Sequence, residues 1–160
     1  MRKGMHKRPP MSDRFVYVTY IRTTPEKVWD ALMKPEFNKL YWFGAVMQSE
    51  WKKGSDWKIV LNDGRIADTG EIVEIEKPKK IVIKWRNEFM PEIKAEGWSQ
   101  CTIELEPSGD MVKLTVLHEI DKTGSKLIQA VSGGWPKILS GLKTLLETGE
   151  PLPDMAVSKK

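Results

Sequence analysis

The stretch "SGGWPKILSGLKTLLETG", Ser132 to Gly149, decides the fold. Ile138, Leu139, Leu142, Leu145 and Leu146 recur at helical spacing with Trp135 at their head, one apolar stripe on a long helix. Gly149 and Pro151 end it. Ahead of the stripe, Gly133-Gly134 and Pro136 are punctuation. They predict a short helix over 124–131, a break, and a second helix starting at Trp135-Pro136. An indole at that boundary is expected to be buried, and the break would gate whatever space the ring faces.

Working backwards, the period changes to two. Residues 45–51, 56–62, 65–76, 79–88, 96–106 and 111–120 read as strands, separated by "KKGSD", "NDG", "EKPKK" and "EPSGD". Asn62-Asp63-Gly64 is a tight hairpin signal. "RFVYVTYI", 14–21, is a further strand. "TTPEKVWDALM" after it has Thr24 to cap a helix, Pro25 at its first position and Glu26 in its first turn. Pro35 starts a second short helix. The order is strand, two short helices, six strands, helix. This predicts an α+β fold, a seven-stranded curved antiparallel sheet wrapped around the long C-terminal helix.

Alternation assigns the faces. Trp57, Ile59 and Leu61 point one way. Ile81, Ile83 and Trp85 oppose Lys84 and Arg86; Cys101, Ile103 and Leu105 oppose Gln100, Thr102 and Glu104. Val112, Leu114, Val116 and His118 share a face opposite Glu119. Trp57, Trp85, Val116 and His118 therefore face the helix, with Trp135 and Leu139 facing them. Two readings stay open. The rings are packed core with His118 satisfied by a backbone carbonyl or buried water, or they line a ligand cavity in which His118 orients the ligand. A third role, His118 as general base with Glu119 or Glu71, meets the difficulty that Glu119 lies on the opposite face. Ser99, Cys101 and Ser132 are distant in sequence, and nothing marks any of them as a nucleophile. No catalytic residue, cofactor or metal site is assigned.

Charge narrows the partners. The chain has 26 Lys and Arg against 22 Asp and Glu, but Arg2, Lys3, Lys7 and Arg8 sit in the first ten residues, leaving a neutral body. Nucleic-acid binding is not expected from such a body. No apolar run approaches the roughly 20 residues of a membrane span. One cysteine and no secretory pattern point to the cytoplasm. Residues 1–12 are expected to be a flexible basic tail, 13–150 a single domain and 151–160 a C-terminal tail. A homodimer is left open.

"TTPEKVWDAL", "PEFNKLYWFG", "VLHEI" and "GGWPKILSGLKTLLE", in this order and spacing, resemble the family of activators of heat-shock-protein-90 ATPase. That family belongs to the SRPBCC (START, polyketide cyclase and birch-allergen-like) superfamily. The resemblance spans about residues 14–149. It implies a helix-grip fold with a hydrophobic cavity between sheet and helix. It also implies that Trp135 packs from the start of the long helix toward the cavity near His118, with the glycines letting helix and sheet approach. The eukaryotic co-chaperone carries a further N-terminal domain for which a twelve-residue lead cannot substitute. The expected role is therefore binding of a small hydrophobic or aromatic molecule at Trp57, Trp85, Val116, His118, Trp135 and Leu139. Alternatives are a cyclase- or hydrolase-like enzyme and a chaperone or regulator interaction module.

Overall fold

The computed structural model describes residues 12–155. Seven strands form one sheet: β1 (Asp13–Ile21), β2 (Val46–Ser49), β3 (Asp56–Val60), β4 (Ile66–Glu76), β5 (Lys80–Asn87), β6 (Ser99–Ser108) and β7 (Met111–Ile120). Their order across the sheet is β1-β7-β6-β5-β4-β3-β2, and every neighbouring pair is antiparallel. The helices are α1 (Pro25–Met33), α2 (Pro35–Tyr41), the one-turn α3 (Pro91–Lys94) and α4 (Lys126–Thr148). The helix-grip arrangement is as expected.

Local signals account for most boundaries. Thr24 Oγ1 accepts from the Lys27 amide at the start of α1, and Pro25 and Pro35 occupy first-turn positions. Gly149 closes α4 with φ 84°, a left-handed conformation that glycine adopts without strain. At the other end of α4, Ser125 Oγ accepts from the Ile128 amide and donates to Glu96 Oε1 at 2.7 Å. The α3 turn falls in the gap left between the fifth and sixth sequence-predicted strands, and the sixth begins at Ser99 rather than at 96.

The predicted break at Gly133-Gly134 does not occur. α4 runs unbroken through Gly133, Gly134 and Pro136. Leu127, Val131, Trp135, Ile138, Leu142 and Leu145 recur every three or four residues across it, so one stripe is buried only if the helix is continuous. That tertiary gain overrides the local preference of Gly and Pro. Pro136 has no amide to bond the Ser132 carbonyl, and Ser132 is half-buried, so water can replace that bond.

α4 packs chiefly on β1, with β7, α1, α2 and α3 as further neighbours. Trp135, Leu139 and Leu142 are buried and Leu146 partly so. The glycine that α4 needs for close approach is Gly141, not Gly133 or Gly134. A Cβ on Gly141 would lie 2.8 Å from Met155 Cε and 3.2 Å from Tyr41 Cβ, whereas added Cβ atoms on Gly133 and Gly134 meet nothing within 4 Å. The segment after α4 is docked as far as Met155, which is buried. Of the expected N-terminal tail only Ser12 is described, its hydroxyl donating to Asp121 Oδ1 at 2.9 Å; residues 1–11 and 156–160 lie outside the described residues.

Two substitutions test this core. Leu142→Ala should lower the unfolding free energy by about 2–5 kcal/mol, the range for truncating a buried leucine, measured by urea denaturation. Gly70→Ala on β4 should also be costly, by about 1–3 kcal/mol or more, because its Cβ would fall on the Lys84 carbonyl oxygen and against the Trp57 ring. A loss within about 0.5 kcal/mol at either position would place it at the surface.

Candidate functional site

Because α4 leans on the β1 edge of the sheet, a wedge remains over β3, β4 and β5. The α2–β2 loop and α3 partly roof it. Its base is a set of rings brought together by strand alternation. Trp57 and Trp85 sit on either side of Gly70, their Cα partner in the sheet, and with no side chain between them their centroids are 4.5 Å apart. Trp85 lies 4.8 Å from the His118 ring and 5.9 Å from Trp135, and Trp42, just after α2, meets Trp135 edge-on at 5.5 Å. Such tilted and T-shaped pairs are the favoured aromatic geometries.

His118 is fully buried, and both its ring nitrogens are satisfied. Trp135 Nε1 donates to Nδ1 at 3.2 Å, and Nε2 lies 3.1 Å from Ser99 Oγ. An indole N–H can only donate, so Nδ1 must be unprotonated and Nε2 must carry the proton. Nε2 then donates to Ser99 Oγ, and Ser99 Oγ donates to the Trp85 carbonyl at 2.8 Å. Burial pushes the imidazole pKa down to about 3, and a second ring proton would collide with the Trp135 donor. Ser99 beside His118 resembles a nucleophile–base pair, but the proton direction is the reverse of what activation requires. Glu119 lies on the opposite face of β7 and Glu71 is exposed, so neither carboxylate joins His118. Cys101 is buried, and burial raises its thiol pKa far above neutrality. Among the described residues no cluster of three His, Cys, Asp or Glu is placed to hold a metal ion, and no helix is long and apolar enough to cross a membrane.

Above these rings is a pocket of about 320 Å³. Trp42, Trp85 and Trp135 line its buried end, Ile59, Ala67 and Val131 line its sides, and the exposed Phe43 and Met90 stand at its mouth. Of the six sequence-predicted binding residues, Trp85 and Trp135 reach this space. Trp57, Val116, His118 and Leu139 lie in the core around it and do not line it. Trp135 stands near the middle of α4, not at a helix start. Gly134 contributes bare backbone to the wall.

Asp68 is the one ionisable side chain lining the pocket, and sequence reading missed it. Its Cα pairs with those of Ile59 and Asn87, and alternation in "DTGEI" puts it on the inward face with Gly70 and Ile72. It is buried. Trp85 Nε1 donates to Oδ2 at 2.8 Å and Asn87 Nδ2 reaches the same oxygen at 3.4 Å. Burial raises its pKa to about 6, with the nearby charge of Glu88 adding to the rise and the two donors opposing it. Burial would also raise Glu88, but hydrogen bonds from Thr69, Arg86 and Lys94 outweigh it and hold that carboxyl at about 2.

The chain matches the model of the activator of Hsp90 ATPase homolog 1-like protein family over residues 22–147. The chain belongs to this family. Among solved structures, a Cytophaga hutchinsonii protein is 27% identical with a TM-score of 0.68, covering 88% of this chain and 98% of its own. The Aha1 dimer of Colwellia psychrerythraea is 17% identical with a TM-score of 0.69, covering 86% and 98%. An HSP90 activator from Plasmodium falciparum is 21% identical with a TM-score of 0.68, covering 83% and 95%. A search among curated proteins finds no significant match. These structures share the helix-grip fold with this chain.

The two shifted groups give a pH signature. His118, depressed in the folded state, contributes stability that is full above pH 6.5 and lost as pH falls toward 3. Asp68, raised when folded, contributes stability that is full below pH 3.8 and lost as pH rises through 6. Between about pH 4 and 6 the two slopes oppose each other. Asp68→Asn removes one of them. Its stability relative to the wild type should rise by roughly 1.4 kcal/mol per pH unit across that window, the value of one proton. A difference independent of pH, read by denaturant titration at pH 4, 5 and 6, would show that Asp68 titrates normally.

Proposed function

We propose that the chain binds a small apolar or aromatic molecule in the pocket between β3–β5 and α4, without catalysis. The observation that carries this reading is the pocket itself: about 320 Å³, floored by three indoles, lined by aliphatic carbons and holding a single ionisable group. Sites for small ligands have this volume and this ratio of apolar wall to polar anchor. Its walls are rigid where it matters, because the Trp135 ring is held by His118 and the Trp85 ring by Asp68. The pairing of acid and base that an enzyme reading needs has no counterpart around His118. We propose a homodimer alongside, supported by the relative solved as a dimer; light scattering would give twice the chain mass if it forms.

Gly134 supplies a clean test. A side chain there meets no protein atom at its Cβ and would grow into the pocket. The neutral fluorophore N-phenyl-1-naphthylamine should bind the wild type saturably and raise its melting temperature by mass action. Gly134→Leu should weaken that binding at least about tenfold, equivalent to about 1.4 kcal/mol, while melting no lower than the wild type, since Leu is the better helix former. Unchanged binding in a folded Gly134→Leu variant would remove the pocket from consideration.

A further inference from the structure

We infer that the pocket selects an organic cation, an apolar body bearing a protonated amine whose ammonium meets Asp68 while the body lies among Trp42, Trp85 and Trp135. The inference rests on the pocket being a binding site and adds the charge class of its occupant.

Three observations carry it. First, both protein donors to Asp68 fall on Oδ2, and among the described residues no donor reaches Oδ1. The only sealed side-chain polar atom without a partner among those residues is Trp57 Nε1. Oδ1 therefore keeps access to open space, and Asp68 lines the pocket. Second, no Lys, Arg or His lines the pocket, so its carboxylate has no counter-charge there. The nearby Arg86 and Lys94 are held by Glu88 at 2.8 and 3.0 Å. A buried carboxylate without a cation is costly, and a ligand that supplies one recovers that cost on binding. Third, the other walls are indoles, whose faces attract ammonium groups and whose area suits an apolar body.

The charged surroundings are few. No titratable side chain lines the pocket from the α2–β2 loop, α3 or α4. Just past β5, Glu88 is the charged group acting on Asp68; on β3, Ile59 is its sheet partner. The Asp68 carboxyl is ionised above about pH 6, so the preference for a cation should belong to neutral and alkaline solution.

The test uses three probes of one shape, 1-naphthylmethylamine, 1-naphthylmethanol and 1-naphthoate, titrated by calorimetry at pH 8 and pH 5. At pH 8 the amine should bind the wild type about 10- to 100-fold more tightly than the alcohol, the value of a charge-assisted hydrogen bond. The naphthoate should bind weakest. At pH 5 the advantage of the amine should shrink about tenfold, since Asp68 is then mostly protonated. Asp68→Asn keeps an acceptor for Trp85 Nε1 and should bind amine and alcohol equally. Alcohol binding with no amine advantage, or an advantage that survives in folded Asp68→Asn, would overturn this inference and leave the pocket reading standing. Should Asp68→Asn fail to fold, the pH dependence in the wild type decides alone. Failure of all three probes to bind would overturn both readings.

Discussion

A buried chain of hydrogen bonds joins the helix and sheet halves of this molecule: Trp135 to His118, His118 to Ser99, Ser99 to the Trp85 carbonyl. It runs from the middle of α4 through β7 and β6 to β5, in a region sealed from water. Elsewhere in the buried core α4 meets the sheet through apolar contacts that constrain its rotation only loosely, and its C-terminal half is tied to the β1 edge by an exposed bond from Lys143 Nζ to the Tyr20 carbonyl. Directional bonds to a neutral imidazole fix the angle of the Trp135 ring, and with it the face that α4 turns to the wedge. The same bonds determine the tautomer, which in turn denies His118 any role in proton transfer.

With that angle fixed, the wedge follows from geometry. α4's main contact is at β1, and at Gly134 no side chain extends from the helix into the space over the opposite side of the sheet. Gly70 closes the floor beneath by letting Trp57 and Trp85 meet. Two glycines are thus used in opposite ways, Gly70 admitting ring contact in the core and Gly134 leaving wall space unfilled. Asp68 sits at the only place where this apolar lining carries charge. Its raised pKa and the lowered pKa of His118 have the same origin, removal from water, and differ in sign because one group is charged when it loses a proton and the other when it gains one.

Much of this was legible in the sequence. Period-two patterning located the strands and put Trp57, Trp85 and His118 on the inner face, and the leucine stripe located α4. Asp68 was legible in principle, since it alternates with Gly70 and Ile72, but an acidic residue in a strand reads as solvent-facing unless the face of its neighbours is traced first. Trp42 follows a helix end, where backbone direction cannot be inferred from periodicity. The continuity of α4 was misread because Gly and Pro act locally, whereas the gain that outweighs them comes from contacts with residues more than a hundred positions earlier. Which of the inward rings line a void and which only pack against each other depends on the tilt of α4, a quantity no strand pattern encodes.

A neutral His118, protonated at Nε2, orients Trp135 on α4 against the sheet and thereby sets the pocket floor. The most direct measurement is the nitrogen-15 NMR spectrum of the His118 ring as a function of pH. The spectrum should show an unprotonated Nδ1 and a protonated Nε2, with no titration from pH 8 down to about 4. A proton on Nδ1, or an imidazolium forming near pH 6.5, would contradict it.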